Sequence, residues 1–509
     1  MTDPVRAGLT RFEVRTNVPY GTFKGADFIR LDGLVHGELT TAESVPGLAQ
    51  AAKNLRGPLN YTAPFVLIVP RSARGAHRTL LIDVPNRGRP IAHHLYNSPR
   101  EHFLPVGSFE PGNGFLQEHG FGVAMLQWEL GHGITLPVFT DASGTTRHVE
   151  AAGIAAIRDF AHFLRTAEVD TLGTPNPVDG QFDLTLAVGY SQTARVLKTM
   201  LVEGCDLVDG RRVFDAIHLH AGAAGLAPIF ATGSGPASGT CLTPNFADPQ
   251  VRGVAEEPLT YAGIVSRAST NAAAHAAARA TKHAAALPKL LVTNVGTDYF
   301  SLRASLARTG AQGTADAPIP PNVRIYDVAG ASHSRATEST CQLPPAQLDY
   351  FPVLRATLLN LEAWVRNATE PPSTRLMPLE PRPAHEGVLP APAHLPDAIV
   401  QTPRRDADGN AIGGVRLPDM EAPLGTHGGQ NRPLTDAPCN LIATFSPFAR
   451  TAAARVAGDT RPALTERYAD HDAYIGGVCR AARQLIDDRF LGEADAVEIE
   501  RAARMIPHW

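Results

Sequence analysis

The sequence predicts an α/β fold: a doubly wound, mostly parallel sheet with helices on both faces. Two observations carry that expectation. First, the runs "TLLIDVPNRG", "GFGVAMLQWELG", "FDLTLAVGYS", "FDAIHLHAGAA", "PKLLVTNVGTDYF" and "NVRIYDVAGASH" each hold a short, almost unbroken apolar stretch. A strand that is apolar at nearly every position is buried on both faces, as a parallel strand covered by helices must be. Second, helical segments such as "EAAGIAAIRDFAHFLRTA" and "SQTARVLKTMLVEG" separate those runs. Such alternation is the pattern of a doubly wound sheet.

Taken in order, residues 1–65 mix β-like runs ("RFEVRTNV", "DFIRLDGLVHGEL") with turn residues, and are expected to add antiparallel strands to the main sheet. Residues 66–369 make the α/β core. Within it, 222–287 departs from the alternation. A Gly- and Pro-containing loop leads there into the Ala-rich "STNAAAHAAARATKHAAALP", a helix expected either to cap the carboxyl edge of the sheet or to lie on the surface without a role in binding. Residues 370–509 form a C-terminal extension. It opens with a proline-dense stretch to about Asp397, read as an ordered wrap or a linker. Further on, Tyr474, Val478, Ala481, Leu485 and Ile486 recur at helical spacing. That helix is expected to pack on the core, because one amphipathic helix cannot make a core alone.

A net charge of -4 with 19% charged residues provides no basic field for nucleic acid. No stretch approaches the ~18 uninterrupted apolar residues of a membrane span, and the first residues lack the apolar core of a signal peptide. A cytoplasmic location follows as the expectation. The five cysteines, Cys205, Cys241, Cys341, Cys439 and Cys479, are widely spaced with no C-x-x-C pair. They read as reduced, mostly buried thiols, with a Cys241–Cys341 bridge as the alternative for an exported protein.

In "FDLTLAVGYSQTARVLKTMLVEG" the apolar run stops at Gly189, and Ala194, Leu197, Met200 and Leu201 then follow at helical spacing. Ser191 therefore stands at the junction, either as a helix cap or as a nucleophile presented on a sharp turn. The second glycine of the G-x-S-x-G elbow is replaced here by Thr193. A nucleophilic serine needs a base, and the base an orienting carboxylate. Asp298 follows one later strand and His333 the next, giving the order Ser, Asp, His at strand ends, where ligand chemistry in open α/β sheets gathers. Taken singly, Asp298 reads as a turn residue and His333 as a loop histidine; the order is what joins them. Asp327, inside the strand before His333, ranks below Asp298 as the acid. The oxyanion donors are expected to be the N–H of Gln192 and that of Asn86 or Arg87 in "PNRG", with Gly88 permitting close approach. Arg195 either braces the elbow through an ion pair or faces solvent.

Two histidine pairs, His93/His94 and His218/His220, raise a metal site, since residues two apart in a strand share a face. No carboxylate or cysteine with ligand spacing accompanies them, and no phosphate-binding glycine motif is present, so neither metal nor cofactor is expected. In "QWELGHG", Trp128 and His132 read as substrate contacts or as structural residues.

Taken together, "VPNRG", "GYSQTAR", "GTDYF", "GASH", "GGVRLPDMEAPLGTHGGQN" and "ERYADHDAYI" resemble the large bacterial family of α/β-hydrolase domain-containing proteins, from about Val66 to the C-terminus. Members often read G-x-S-Q-[ST]-[GA]-R at the elbow, which accommodates Thr193. They more commonly carry Glu at the acid turn, so Asp298 is a conservative departure. The resemblance implies an α/β-hydrolase fold and a small carboxylic ester as substrate, without saying which ester. The expected activity is that of a serine esterase working through an acyl-enzyme, with turnover falling on the acid side as His333 protonates. An acyltransferase sharing that intermediate and a non-catalytic α/β binding scaffold are the alternatives.

Overall fold

The computed structural model describes residues 8–39, 45, 59–72, 78–97, 105–140, 144–227, 231–232, 259–278, 284–310, 313, 315–334, 341–381, 396–431 and 439–508. The chain forms two compact units. One comprises Met1–Ser98, Phe103–Leu290 and Ile319–Asn322, the other Pro99–His102, Leu291–Pro318 and Val323–Trp509.

In the first unit β1 (Gly8–Phe23), β2 (Ala26–Leu39) and β3 (Leu59–Pro70) run antiparallel. The β1–β2 hairpin turns on Lys24 and Gly25, both at positive φ (44° and 81°), as the twist of a two-residue hairpin demands. β4 (Thr79–Asp83), β5 (Gly122–Leu126), β6 (Leu184–Tyr190) and β7 (Ala216–His220) are parallel, and the strand order is β1-β2-β3-β5-β4-β6-β7. Every residue of β4, β5 and β7 is buried, whereas burial alternates along β2 and β3. The mixed sheet expected from the sequence is therefore present, and β3 carries it unbroken through residue 65.

β4 has β5 on one side and β6 on the other. Chain progression across the sheet reverses there, and the crevice at such a reversal is where open α/β sheets bind ligands. α1 (Glu150–Thr166) buries Phe160 and Phe163 against the aromatic group of Phe12 and Phe65. α2 (Gln192–Glu203) follows β6 and stops at Gly204, which takes the left-handed conformation (φ 73°) of a helix C-cap. The Ala-rich segment is α3 (Tyr261–Ala278), docked beside the far end of α2: Asn271 Nδ2 donates to Val202 O (2.7 Å) and fills the space a Cβ on Gly204 would need. The rest of the predicted cap, 228–230, 233–258 and 279–283, lies outside the described residues.

The second unit holds most of β8 (Lys289–Val295), then β9 (Val323–Val328) and α4 (Phe351–Asn367). The extension covers the backbone of β9. Arg375 and Val415 bridge in parallel to Tyr326 and Val328, with Asp327 N–H donating to Arg375 O (2.9 Å) and Val415 N–H to Asp327 O (2.7 Å). Covering an edge strand removes a template for aggregation. α5 (His471–Asp487) and α6 (Glu493–Arg504) join Ala422 in one apolar cluster through Tyr474, Ile475, Val478 and Ala503. Arg355 of α4 pairs with Asp495 of α6 at 2.6 Å. The apolar face of the tail helix is thus covered from within the extension, and part of the proline-dense stretch, 382–395, lies outside the described residues.

One expectation is corrected. Cys341 is joined to Cys439 by a disulfide across 98 residues, while Cys205 and Cys479 are free thiols. Spacing cannot reveal a partner that only the folded extension brings close. Cys241, the alternative partner, lies outside the described residues. Among the described residues no helix is long and apolar enough to cross a membrane.

Candidate active site

In the first unit β6 ends at Tyr190 and α2 begins at Gln192, so the turn between them is Ser191 alone. Its backbone stands at φ 56°, ψ -112°, and its hydroxyl makes no capping bond to α2. A cap residue is normally extended with its side chain bonded to the helix; Ser191 is neither. A strained non-glycine backbone costs about 1–3 kcal/mol and persists only where its surroundings hold it. The Ser191 N–H donates to His220 O at 2.8 Å. At Gly189 a Cβ would come within 2.5 Å of Thr193 O, so no side chain fits. The Thr193 hydroxyl accepts from Tyr190 N–H (2.9 Å) and donates to Tyr190 O (3.2 Å). Thr193 thus closes the elbow with its own side chain, which explains a threonine where a second glycine is usual. Arg195 is buried and donates to Gly222 O (3.3 Å), as does Lys198 Nζ (3.1 Å), so Arg195 does not face solvent.

The turn after β4 lies beside this elbow, because Asp83 pairs with Val188 and Val84 N–H donates to Val188 O (3.1 Å). Asn86 and Arg89 exchange backbone hydrogen bonds, each 3.1 Å, with Arg87 (φ 51°) and Gly88 (φ 75°) between them. Asn86 Nδ2 donates to Tyr190 O (3.2 Å). Three consecutive residues after β5 hold the same turn: Gln127 Nε2 donates to Gly88 O (3.1 Å), Trp128 Nε1 to Pro85 O (2.9 Å), and Glu129 Oε2 accepts the Arg87 N–H (3.0 Å). Both backbone groups expected as the second oxyanion donor therefore already have partners, Asn86 in Arg89 and Arg87 in Glu129. Gln192 opens α2, where a helix leaves N–H groups unpaired. Trp128 is 2% exposed and takes the structural alternative of its two readings, while His132 stays half-buried beside Gly88. Glu129 was missed in the sequence. Its signal is a lone acidic residue directly after a fully apolar strand.

Behind the elbow the histidines are spoken for. Tyr96 Oη meets His218 Nδ1 at 2.5 Å, Tyr20 Oη meets His93 Nε2 at 3.2 Å, and Tyr190 stacks on both His94 and His220. Burial lowers both His93 and His218 to about 3, so both are neutral. Burial also raises Asp83 to about 7, against the N–H bonds it accepts from Ala92 and Ile91. Among the described residues no three His, Cys, Asp or Glu side chains are grouped to hold a metal ion.

In the second unit Asp298 opens a one-turn helix just past β8, and His333 lies in the loop after β9. Asp298 Oδ1 is 2.6 Å from His333 Nδ1, and Oδ2 accepts the Val295 N–H (2.9 Å). Both side chains are buried. Thr297 ties the two turns by donating its N–H (3.3 Å) and hydroxyl (3.2 Å) to Ala331 O. Asp327 is committed elsewhere, to Tyr299 Oη (2.8 Å), Arg308 Nη1 (3.1 Å), Met377 N–H (3.0 Å) and Asn294 Nδ2 (3.1 Å). Of the two acids, Asp298 is the one hydrogen-bonded to His333.

A family model described as "Alpha/beta hydrolase domain" matches residues 144–501. No curated protein matches the chain. Among solved structures the chain is similar to a glucuronoyl esterase from Solibacter usitatus, at 12% identity over 58% of this chain and 69% of that one, with a TM-score of 0.28. It is also similar to a CE15 glucuronoyl esterase from Teredinibacter turnerae T7901 (14% identity, 56% and 61% covered, TM-score 0.26). A third is the rice cell wall degrading esterase LipA from Xanthomonas oryzae (13%, 62% and 90%, TM-score 0.29).

Proposed function

We propose that this chain, which belongs to the alpha/beta hydrolase domain family, cleaves a small carboxylic ester through an acyl-enzyme on Ser191. The observation that carries the reading is the Ser191 backbone, held at φ 56° with no capping bond from its hydroxyl. The bond between His333 Nδ1 and Asp298 Oδ1 supports it, as does the chain order Ser, Asp, His of the fold family.

In this mechanism Asp298 accepts a hydrogen bond from His333 Nδ1–H, which fixes the tautomer and leaves Nε2 as the base. His333 takes the Ser191 proton while Oγ attacks the ester carbonyl. Negative charge develops on the carbonyl oxygen, where the Gln192 N–H and the positive end of α2 favour it. The alcohol leaves with the proton from His333, and water then releases the acid by the same steps. The Cys341–Cys439 disulfide supports an oxidising compartment in place of the cytoplasm.

The test is labelling with a fluorophosphonate, mapping of the adduct, and turnover of p-nitrophenyl acetate. The adduct is expected on Ser191, and Ser191→Ala should abolish it and lower kcat by at least about 10³-fold. An adduct on another serine, or turnover untouched by Ser191→Ala, overturns the reading.

A further inference from the structure

We infer that Glu129 is a positioning residue for the oxyanion site, a strut that fixes the turn after β4 to the nucleophile elbow. The inference rests on the proposed serine-hydrolase reading. Glu129 is 1% exposed and uses its two carboxylate oxygens on two different loops. Oε2 accepts the Arg87 N–H (3.0 Å), and Oε1 accepts from Gln192 Nε2 (2.7 Å). Gln192 is the residue directly after Ser191, so one side chain joins the peptide of Arg87 to the residue whose N–H faces the developing charge.

Chemistry explains the residue type. The native strut accepts two hydrogen bonds from donors on opposite sides, which the two oxygens of a carboxylate do and an apolar side chain does not. Its neighbours Gln127 and Trp128 tie down Gly88 and Pro85 within the turn itself. Asn86 Nδ2 ties the same turn to Tyr190 O (3.2 Å), on the residue before Ser191; Glu129 adds the tie to the residue after it (2.7 Å). Preorganised donors lose much of their effect when displaced by about 1 Å.

The requirement is for a polar atom at each end of the planar group rather than for charge. In Glu129→Gln the amide oxygen can keep the Arg87 N–H. The new amide nitrogen can face Gln192 after a flip of the Gln192 amide, whose Oε1 has no hydrogen-bond partner in the native site. Glu129→Ala offers neither contact.

The experiment compares wild type, Glu129→Ala and Glu129→Gln by p-nitrophenyl acetate kinetics, fluorophosphonate labelling rate and thermal melting. Glu129→Ala is expected to lower kcat and the labelling rate together by about 10- to 100-fold, with KM within about threefold. Glu129→Gln is expected to stay within about fivefold of wild type in both. The inference is overturned by Glu129→Gln falling as far as Glu129→Ala, which would make the charge itself the active element, or by an activity loss no greater than the loss of folded protein. Unchanged labelling of Ser191 in Glu129→Ala also overturns it. By contrast, wild-type protein that takes up no label defeats the serine-hydrolase reading and is distinguishable from all of these.

Discussion

Asp298 and His333 meet through a single 2.6 Å contact, Oδ1 to Nδ1, while the other carboxylate oxygen of Asp298 is held by the Val295 N–H. The carboxylate is thus oriented by the backbone of its own strand before it orients the imidazole. On the strand before His333, Asp327 is equally buried, yet its carboxylate accepts from Tyr299, Arg308, Met377 and Asn294. The two acids should therefore fail differently. Asp298→Asn disturbs the tautomer of His333 and is expected to lower kcat by about 10³- to 10⁴-fold in protein that still folds. Asp327→Ala leaves Arg308 its second carboxylate, Asp316 (2.8 Å), but takes the acceptor from the buried Tyr299 Oη, Asn294 Nδ2 and Met377 N–H, and is expected to lower stability by about 1–3 kcal/mol. Urea melts and ester kinetics on both variants check this; a large kcat loss in Asp327→Ala without a stability loss would reverse the assignment.

Much of this arrangement is legible in the sequence because it follows from local pattern. The apolar runs give β4, β5, β6 and β7, and the change from strand to helical spacing places Ser191 at a turn of one residue. The order of strand ends then selects Asp298 and His333. What the pattern does not carry is who accepts whose hydrogen bond across the fold. Asn86 and Arg87 fit the expected donor position, yet their N–H groups are turned to Arg89 and Glu129, an outcome set by the closing of one turn and by a carboxylate on another strand end. Thr193 reads as a departure from a motif until its hydroxyl is seen on the Tyr190 backbone. The Cys341–Cys439 pair depends on the path of the extension.

His218 gives a pH prediction with a defined sign. Its ring is fully buried against Tyr96, and burial holds its pKa at about 3, whereas the unfolded chain titrates near ~6.5. Below ~6.5 the unfolded state takes up a proton that the folded state refuses. This group therefore supports the fold above that pH and withdraws about 1.4 kcal/mol per pH unit as the pH falls towards 3. His218→Asn keeps a polar partner for Tyr96 and removes the titration. Comparing the two proteins by urea unfolding at pH 6.5 and pH 5 should shift the stability difference by about 2 kcal/mol in favour of the variant. An unchanged difference would mean that His218 is not held neutral in the fold.

The disulfide gives the last prediction, because it sits where the extension grips the histidine loop. Ser334 N–H donates to Leu441 O (2.9 Å) and Ser332 Oγ accepts from Ala443 N–H (2.6 Å), both within a few residues of Cys439. Closing a loop of 98 residues restricts the unfolded chain by up to about 4–5 kcal/mol in the chain-entropy model. Under denaturing, non-reducing conditions Cys341 and Cys439 are expected to resist alkylation and to be recovered as one linked peptide pair. Cys341→Ser is expected to lower the unfolding free energy by about 2–5 kcal/mol. It should also lower kcat more than it lowers the fluorophosphonate binding step, since the anchor it removes lies by His333 rather than by Ser191. Full reactivity of both thiols in unreduced protein would remove the anchor, and a Cys341→Ser enzyme with native kcat would show that the backbone bonds from Leu441 and Ala443 hold the loop without it.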